Sequence, residues 1–210
     1  ASIGRLAAGV AHEIGNPITG IACLAQNLRE EREDDGELTE ISGQILEQTK
    51  RVSRIVQSLM SFAHAGGHQH NDEPVCLAEV AQDAIGLLAL NRRNFEVQFF
   101  NLCDPDHWVD GDPQRLAQVL INLLSNARDA SPAGSAVRVK SEAFEHTVDL
   151  IVEDEGSGIP QNIMDRLFEP FFTTKDVGEG TGLGLALVYS IVEEHYGQIT
   201  IDSPADGQSQ

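Results

Sequence analysis

Basic residues are scarce in this 210-residue chain: 14 Lys and Arg stand against 33 Asp and Glu, for a net charge of −19 and a pI near 4.5. That balance argues against a nucleic-acid binder, which needs a basic footprint to displace counterions from phosphates, and against anionic membrane surfaces for the same reason. Cysteine is thin as well. Cys23, Cys76 and Cys103 are an odd set, widely spaced and without ligand-like clustering, so reduced thiols in the cytosol are expected. No stretch is apolar enough, for long enough, to span a bilayer, and no signal peptide is visible. Internal repeats and low-complexity tracts are also missing. The chain starts at Ala1, already inside an amphipathic pattern, and is expected to be a piece of something longer. What remains is 41% apolar residues, enough for an ordinary packed core in one or two domains.

The apolar pattern has two regimes. From Ser2 to about Glu31, Ile3, Leu6, Val10, Ile14, Ile21, Leu24 and Leu28 recur at helical steps. The stretch REEREDDGE reads as a turn, and a second helix follows with Ile41, Ile45, Val52, Ile55, Leu59 and Phe62 on one face. Such an antiparallel hairpin buries too little apolar surface alone, so a four-helix bundle with a second copy is expected. HAGGHQHNDEP then reads as a linker. Beyond it the pattern becomes mixed α/β. Helices are expected at Leu77–Leu90, from Asp112-Pro113 to about Ala130, and after Gly182; strands are expected at Phe95–Asn101, His107–Val109, Ala136–Phe144, Thr147–Glu153 and Gln198–Asp202. Asp112 followed by Pro113 is a helix start, a capping carboxylate before a first-turn proline.

Chemistry first shows at AHEIGNPITG. A neutral imidazole such as that of His12 is a competent nucleophile towards a phosphoryl group. Glu13 beside it can hold the ring tautomer and accept a proton, and Asn16 lies one helical turn on. Pro17 removes the hydrogen bond to the Glu13 carbonyl and kinks the helix next to the histidine. Alone, His12 would be a surface histidine. A zinc-protease helix is excluded, because Asn16 stands where H-E-x-x-H needs its second ligand. His64, His68 and His70 could hint at a metal, but they sit in or beside the linker without carboxylates or thiols at ligand spacing.

The second half carries three more motifs. In NLLSNARDA, Asn122 and Asn126 share one helix face, and a carboxamide oxygen is a hard ligand suited to magnesium; read alone, they could equally be surface asparagines. In EDEGSGIP, Asp154 closes a strand, where it can accept a hydrogen bond from the amino group of adenine. Gly156 and Gly158 let the backbone turn closely around the base; the bland reading is an acidic turn. GEGTGLGLAL sets Gly178, Gly180, Gly182 and Gly184 at a helix entry, where backbone amides and the helix dipole favour phosphate. It is neither a Walker loop nor a dinucleotide fingerprint. LFEPFFTTK, between the two glycine motifs, reads as a lid anchored by Leu167, Phe168, Phe171 and Phe172 that brings Lys175 to the phosphates; those phenylalanines could equally be core.

In this order the four segments resemble the H, N, G1 and G2 boxes of the bacterial sensor histidine kinases, with LFEPFFTTK as the F box, and the resemblance covers nearly the whole chain. It implies a dimerising, phospho-accepting helical hairpin over residues 1–66, a linker at 67–74, and a Bergerat-type α/β sandwich over 75–210 that binds ATP and Mg2+. His12 would be the acceptor through its outer ring nitrogen, with Glu13 its base. Asn126 would bind magnesium, helped by Asn122, and Asp154, with Gly156 and Gly158 at the turn, would read adenine. Lys175 and the turn Gly180-Thr181-Gly182-Leu183-Gly184 would hold phosphates. The H-E-x-x-N pattern resembles the subgroup that dephosphorylates its partner, with Asn16 positioning water. The implied partners are a response-regulator receiver domain and a second copy of the chain. The implied location is the cytoplasmic part of a protein linked to the inner membrane or to a sensor domain.

Two rivals share the fold: a conformational ATPase of the Hsp90 or MutL kind, and a non-catalytic dimeric scaffold. The first carries a glutamate where this chain has Asn122, and an amide cannot serve as general base for water. Departures from the family pattern are Asp129, where many relatives carry a basic residue that Arg128 or Lys175 would replace, and Tyr196, where a glycine is common. The family pattern also implies a final strand after Gln210.

Overall fold

The computed structural model describes Ile14, residues 17–28, Glu30, and residues 36–64, 73–90, 97–175 and 180–203. The chain divides into two compact units, Ala1–His68 with Pro170–Leu183, and Gln69–Glu169 with Gly184–Gln210.

In the first unit, α1 (residues 17–28) and α2 (Gly36–His64) form the helical hairpin. Ala25 is its buried apolar residue among those described, and on α2 the buried Ser42 and Thr49 turn their hydroxyls back onto the Thr39 and Leu46 carbonyls. Those bonds satisfy polar groups that face the partner helix. The larger apolar side chains are not covered: Ile14, Ile21, Leu28 and Ile41 are exposed, and Leu24 keeps 71% of its surface. An open groove of about 520 Å³, lined by Ile18, Ile21, Ile41, Ile45 and Val52, runs along the hairpin. Ile3, Leu6 and Val10 lie outside the described residues.

The second unit is an α/β layer. Its strands are β1 (Glu73–Cys76), β2 (Gln98–Leu102), β3 (Trp108–Gly111), β4 (Ala136–Ala143) and β5 (Val148–Glu153); its helices are α3 (Leu77–Leu90), α4 (Pro113–Ala130) and α5 (Gly184–Glu194). β2 runs parallel to β4 with Asn101 opposite Val139, and β4 pairs antiparallel with β5 with Val139 opposite Val152. β1 and β3 form a separate antiparallel ribbon. Period-two alternation sends Val137 and Val139 inward against Leu120, Leu124 and Ala127 of α4 and Ala81, Ala84 and Leu88 of α3. Each fully buried leucine there contributes about 2 kcal/mol. Asn101 is tied down by donating to the Ala78 carbonyl at 2.9 Å.

Asp112 caps α4, accepting from the Gln114 and Arg115 amides at 2.9 and 3.2 Å, with Pro113 in the first turn. Such a cap is worth about 1 kcal/mol. Two expectations need correction. Glu73 and Pro74, read as linker, are the first half of β1. A proline is admissible there because this short strand pairs on one side only. The strand expected at Gln198–Asp202 does not form. Alternating Ile199 and Ile201 imitate a strand, but no backbone ladder joins that stretch to β5 among the described residues. Instead the Ser203 hydroxyl accepts from the Ile159 amide at 2.8 Å. No helix among the described residues is long and apolar enough to cross a membrane.

Candidate nucleotide site

α4 is the base of the site in the second unit. Because Leu120, Leu124 and Ala127 face the core, the helical period turns Asn122 and Asn126 to the opposite side. Asn122 donates to the Gln118 carbonyl at 2.9 Å, and its oxygen lies 3.2 Å from where a Cβ on Gly184 would sit. The first residue of α5 therefore meets α4 at Asn122. Asn126 is half-buried, and no hydrogen bond to another described residue engages its side chain. Its carboxamide oxygen is a fitting ligand for a hard cation that keeps most of its water. No cluster of His, Cys, Asp and Glu among the described residues could hold a metal by itself. A magnesium ion here would thus depend on Asn126 together with a substrate's phosphates.

At the far end of α4 the turn after β5 closes in. Asp154 accepts the Gly156 amide on Oδ1 at 2.8 Å, which fixes the carboxylate's orientation at the exposed edge of the turn. A Cβ on Gly156 would come within 2.7 Å of that carboxylate oxygen and 2.9 Å of Ala130 Cβ, so any side chain would push the turn off α4. Gly158 has φ +75°, which only glycine adopts easily. Asp154 is held further by its neighbour: Glu155 reaches Arg138 Nη1 at 3.0 Å and the Ala136 amide at 3.4 Å. The Arg138 guanidinium holds the Glu155 carboxyl below its ordinary range. An acceptor fixed beside a turn with glycine at 156 and 158 suits an adenine edge.

The glycine-rich segment belongs to the first unit. Gly182 has φ +65° and faces Phe171, at φ +69°, whose amide donates to the Gly182 carbonyl at 2.8 Å. A Cβ on Gly182 would collide with the Phe171 backbone, and one on Gly180 with the Thr173 hydroxyl. Thr181 turns its hydroxyl onto the Leu183 amide at 3.4 Å, and Leu183 is buried. Lys175 follows Thr173, whose hydroxyl accepts the Lys175 amide at 3.2 Å.

Two family descriptions match this chain. "Histidine kinase-, DNA gyrase B-, and HSP90-like ATPase" covers residues 111–210, and "His Kinase A (phospho-acceptor) domain" covers residues 2–67. Sporulation kinase A of Bacillus subtilis is 34% identical over 203 residues, 95% of this chain and 32% of that protein. Sensor histidine kinase ZraS of Escherichia coli is 35% identical over 210 residues, 96% of this chain and 43% of that protein. Among solved structures, the mycobacterial sensor histidine kinase MprB is 33% identical with a TM-score of 0.52, over 60% of this chain and 80% of that one. Histidine kinase ThkA, solved in complex with response regulator protein TrrA, is 28% identical with a TM-score of 0.63, over 93% of this chain and 56% of that one.

The chain belongs to the sensor histidine kinases.

This histidine kinase core spans less than half the length of the two curated relatives. His12, Glu13, Asn16 and Gly178 lie outside its described residues, as do His68, His70 and any bend between Pro17 and Glu13. The structure brings Asn122, Asn126, Asp154, Gly156 and Gly184 together along α4, and Gly180, Thr181 and Gly182 along the segment facing Phe171 and Thr173. In the lid reading, Leu167 is buried, and Phe168 packs on Tyr189 with ring centroids 5.4 Å apart. Phe171 is no anchor: it is 64% exposed, because its left-handed backbone turns the ring outward. Arg128 is spent locally, donating through Nε and Nη2 to Asp129 at 2.9 and 2.6 Å. Glu155 and Arg138 escaped sequence reasoning, since their meeting depends on the β4–β5 register, and so did Ala130, whose approach to Gly156 depends on how α4 packs against the turn.

Proposed function

We propose that this core is an ATP:protein-histidine phosphotransferase that phosphorylates His12 and passes the phosphoryl group to an aspartate on a response-regulator receiver domain. The observation that carries the reading is the pairing, in one chain, of a phospho-acceptor match containing His12 with an ATPase-type match containing Asn126 and Asp154. The relatives are named kinases, and ThkA is solved with a response regulator. In this scheme the outer ring nitrogen of His12 attacks the γ-phosphorus, the bond to the bridging oxygen breaks, and ADP leaves while Glu13 takes the imidazole proton. Asp154 reads adenine. Asn126 would hold magnesium, which would neutralise phosphate charge, and Lys175 with the turn from Gly180 to Gly184 would hold phosphates. Positioning supplies most of the rate. Asn122 bonded to Gln118 offers no base for water, which favours transfer over hydrolysis. Asn16 positions water for removing phosphate from the regulator.

The groove between α1 and α2 is the face for a second copy, giving a homodimer through residues 1–66, with the ATP-binding domain following a linker that ends before β1 at Glu73. The core acts in the cytoplasm, as part of a protein joined to the inner membrane or to a sensor domain. Incubation with magnesium and γ-labelled ATP, beside His12→Gln, tests the assignment. Acid-labile label on the unaltered protein alone is the expected result. Label persisting on His12→Gln would remove the acceptor, phosphate release without labelled protein would indicate a conformational ATPase, and bound ATP with neither would indicate a scaffold.

A further inference from the structure

The second unit contains a polar joint between α4 and α5 that the nucleotide reading leaves unused. The two helices run antiparallel: Gly184 at the start of α5 faces Asn122 midway along α4, and the residue after α5 meets the start of α4. At that second meeting His195 uses both ring nitrogens. Nδ1 lies 2.7 Å from the Ile191 carbonyl, and Nε2 lies 3.1 Å from the Asp112 amide nitrogen. A carbonyl only accepts and an amide N–H only donates, so the ring is neutral with its proton on Nδ1. Gly111 admits the ring, since a Cβ there would come within 2.7 Å of its Cδ2. Beside it Arg115 pairs with Glu194 at 2.5 Å, both side chains mostly buried. Asp112 is the N-cap of α4, so ring, cap and ion pair fasten the first turn of α4 to the end of α5.

We propose that His195 is a positioning residue whose neutral form holds α4, with Asn122 and Asn126, in register against α5, and that its protonation in acid weakens nucleotide binding. The inference rests on α4 being the base of the nucleotide site. Protonation adds an N–H on Nε2 opposite the Asp112 N–H, donor against donor, and the joint opens. The ionisable residues next to the ring's partners in the chain are Asp110 on β3, Asp112 and Arg115 at the start of α4, and Glu193 and Glu194 on α5. None of these groups changes the amide donor that a lone pair must meet.

The test is the affinity of the whole chain for magnesium-ATP, by calorimetry, at about pH 8 and about pH 5.5. It compares the unaltered protein with His195→Gln, whose amide offers a donor and an acceptor but takes no proton, and with His195→Leu. The unaltered protein should lose about fivefold more affinity in acid than His195→Gln, the magnitude of one lost hydrogen bond; titration of the phosphates affects both alike. His195→Leu should bind weakly at both pH values while His195→Gln matches the unaltered protein at pH 8. One shared pH curve for the unaltered protein and His195→Gln would overturn the inference alone. ATP binding absent at every pH in the unaltered protein would overturn the nucleotide reading, and this inference with it.

Discussion

Tyr196 closes α5 in the left-handed region, with φ +57° and 95% of its surface exposed. Its amide bonds to the Glu193 carbonyl at 3.0 Å, and the Gly197 amide reaches back to Val192 at 2.9 Å, so the helix end is well capped. The strain therefore falls on the side chain, which has no packing to offset the clash of its Cβ with the backbone. Phe171 is in the same conformation for a different reason, since its amide is engaged by the facing Gly182. Tyr196→Gly should stabilise the protein by about 1 kcal/mol, which raises the melting temperature by roughly 2–4 °C at this chain length. Tyr196→Ala, which keeps the Cβ, should leave it nearly unchanged. Equal gains from both would show that the exposed ring, not the backbone, was the cost. The sequence flagged this position, because a tyrosine replaced an expected glycine, but it carried no sign of the left-handed φ behind that expectation.

Among the elements, helices were the most legible. Leu77–Leu90 appears as read, and the Asp112-Pro113 signal marks the start of α4, since capping and periodicity are local physics. Pairing was less legible. β1 was missed because two of its residues looked like linker, and the stretch at Gln198–Asp202 was overcalled because alternation cannot show whether a ladder closes. The Glu155–Arg138 contact lies between those limits: Glu155 follows β5 by two residues, Arg138 is near the start of β4, and only the antiparallel register brings them together. Arg138 holds the Glu155 carboxyl below its ordinary range. Its contribution is therefore full above about pH 4.5, the usual glutamate value, and is lost as pH falls through the depressed value. Glu155→Gln should melt below the unaltered protein near neutrality, by a small margin because the pair is solvent-screened. The gap should close on acidification below about pH 4.5. A gap that stays constant over that range would assign the effect to the shape of the turn and not to its charge.

For the molecule as a whole, two forces oppose each other at the proposed dimer. The hairpin exposes Ile21 and Ile41 along a groove and Leu24 elsewhere on α1, and covering them with a second copy would remove apolar area from water at about 25 cal/mol per Å². Against this, each copy brings a net charge of −19, and like charges repel across a distance set by ionic strength. The screening length is about 30 Å at 0.01 M salt and about 10 Å at 0.1 M. Salt should accordingly tighten this dimer, the reverse of an interface built on ion pairs, because it screens the repulsion and leaves the apolar contact intact. Sedimentation equilibrium at about 20 and about 500 mM NaCl should show the dissociation constant falling several-fold. Ile21→Glu with Leu24→Glu should give monomers at both salt concentrations while ATP affinity holds, since neither side chain is one of the proposed nucleotide ligands. A dissociation constant that rises with salt would mean that ionic contacts, and not the exposed stripe of α1 and α2, join the two copies.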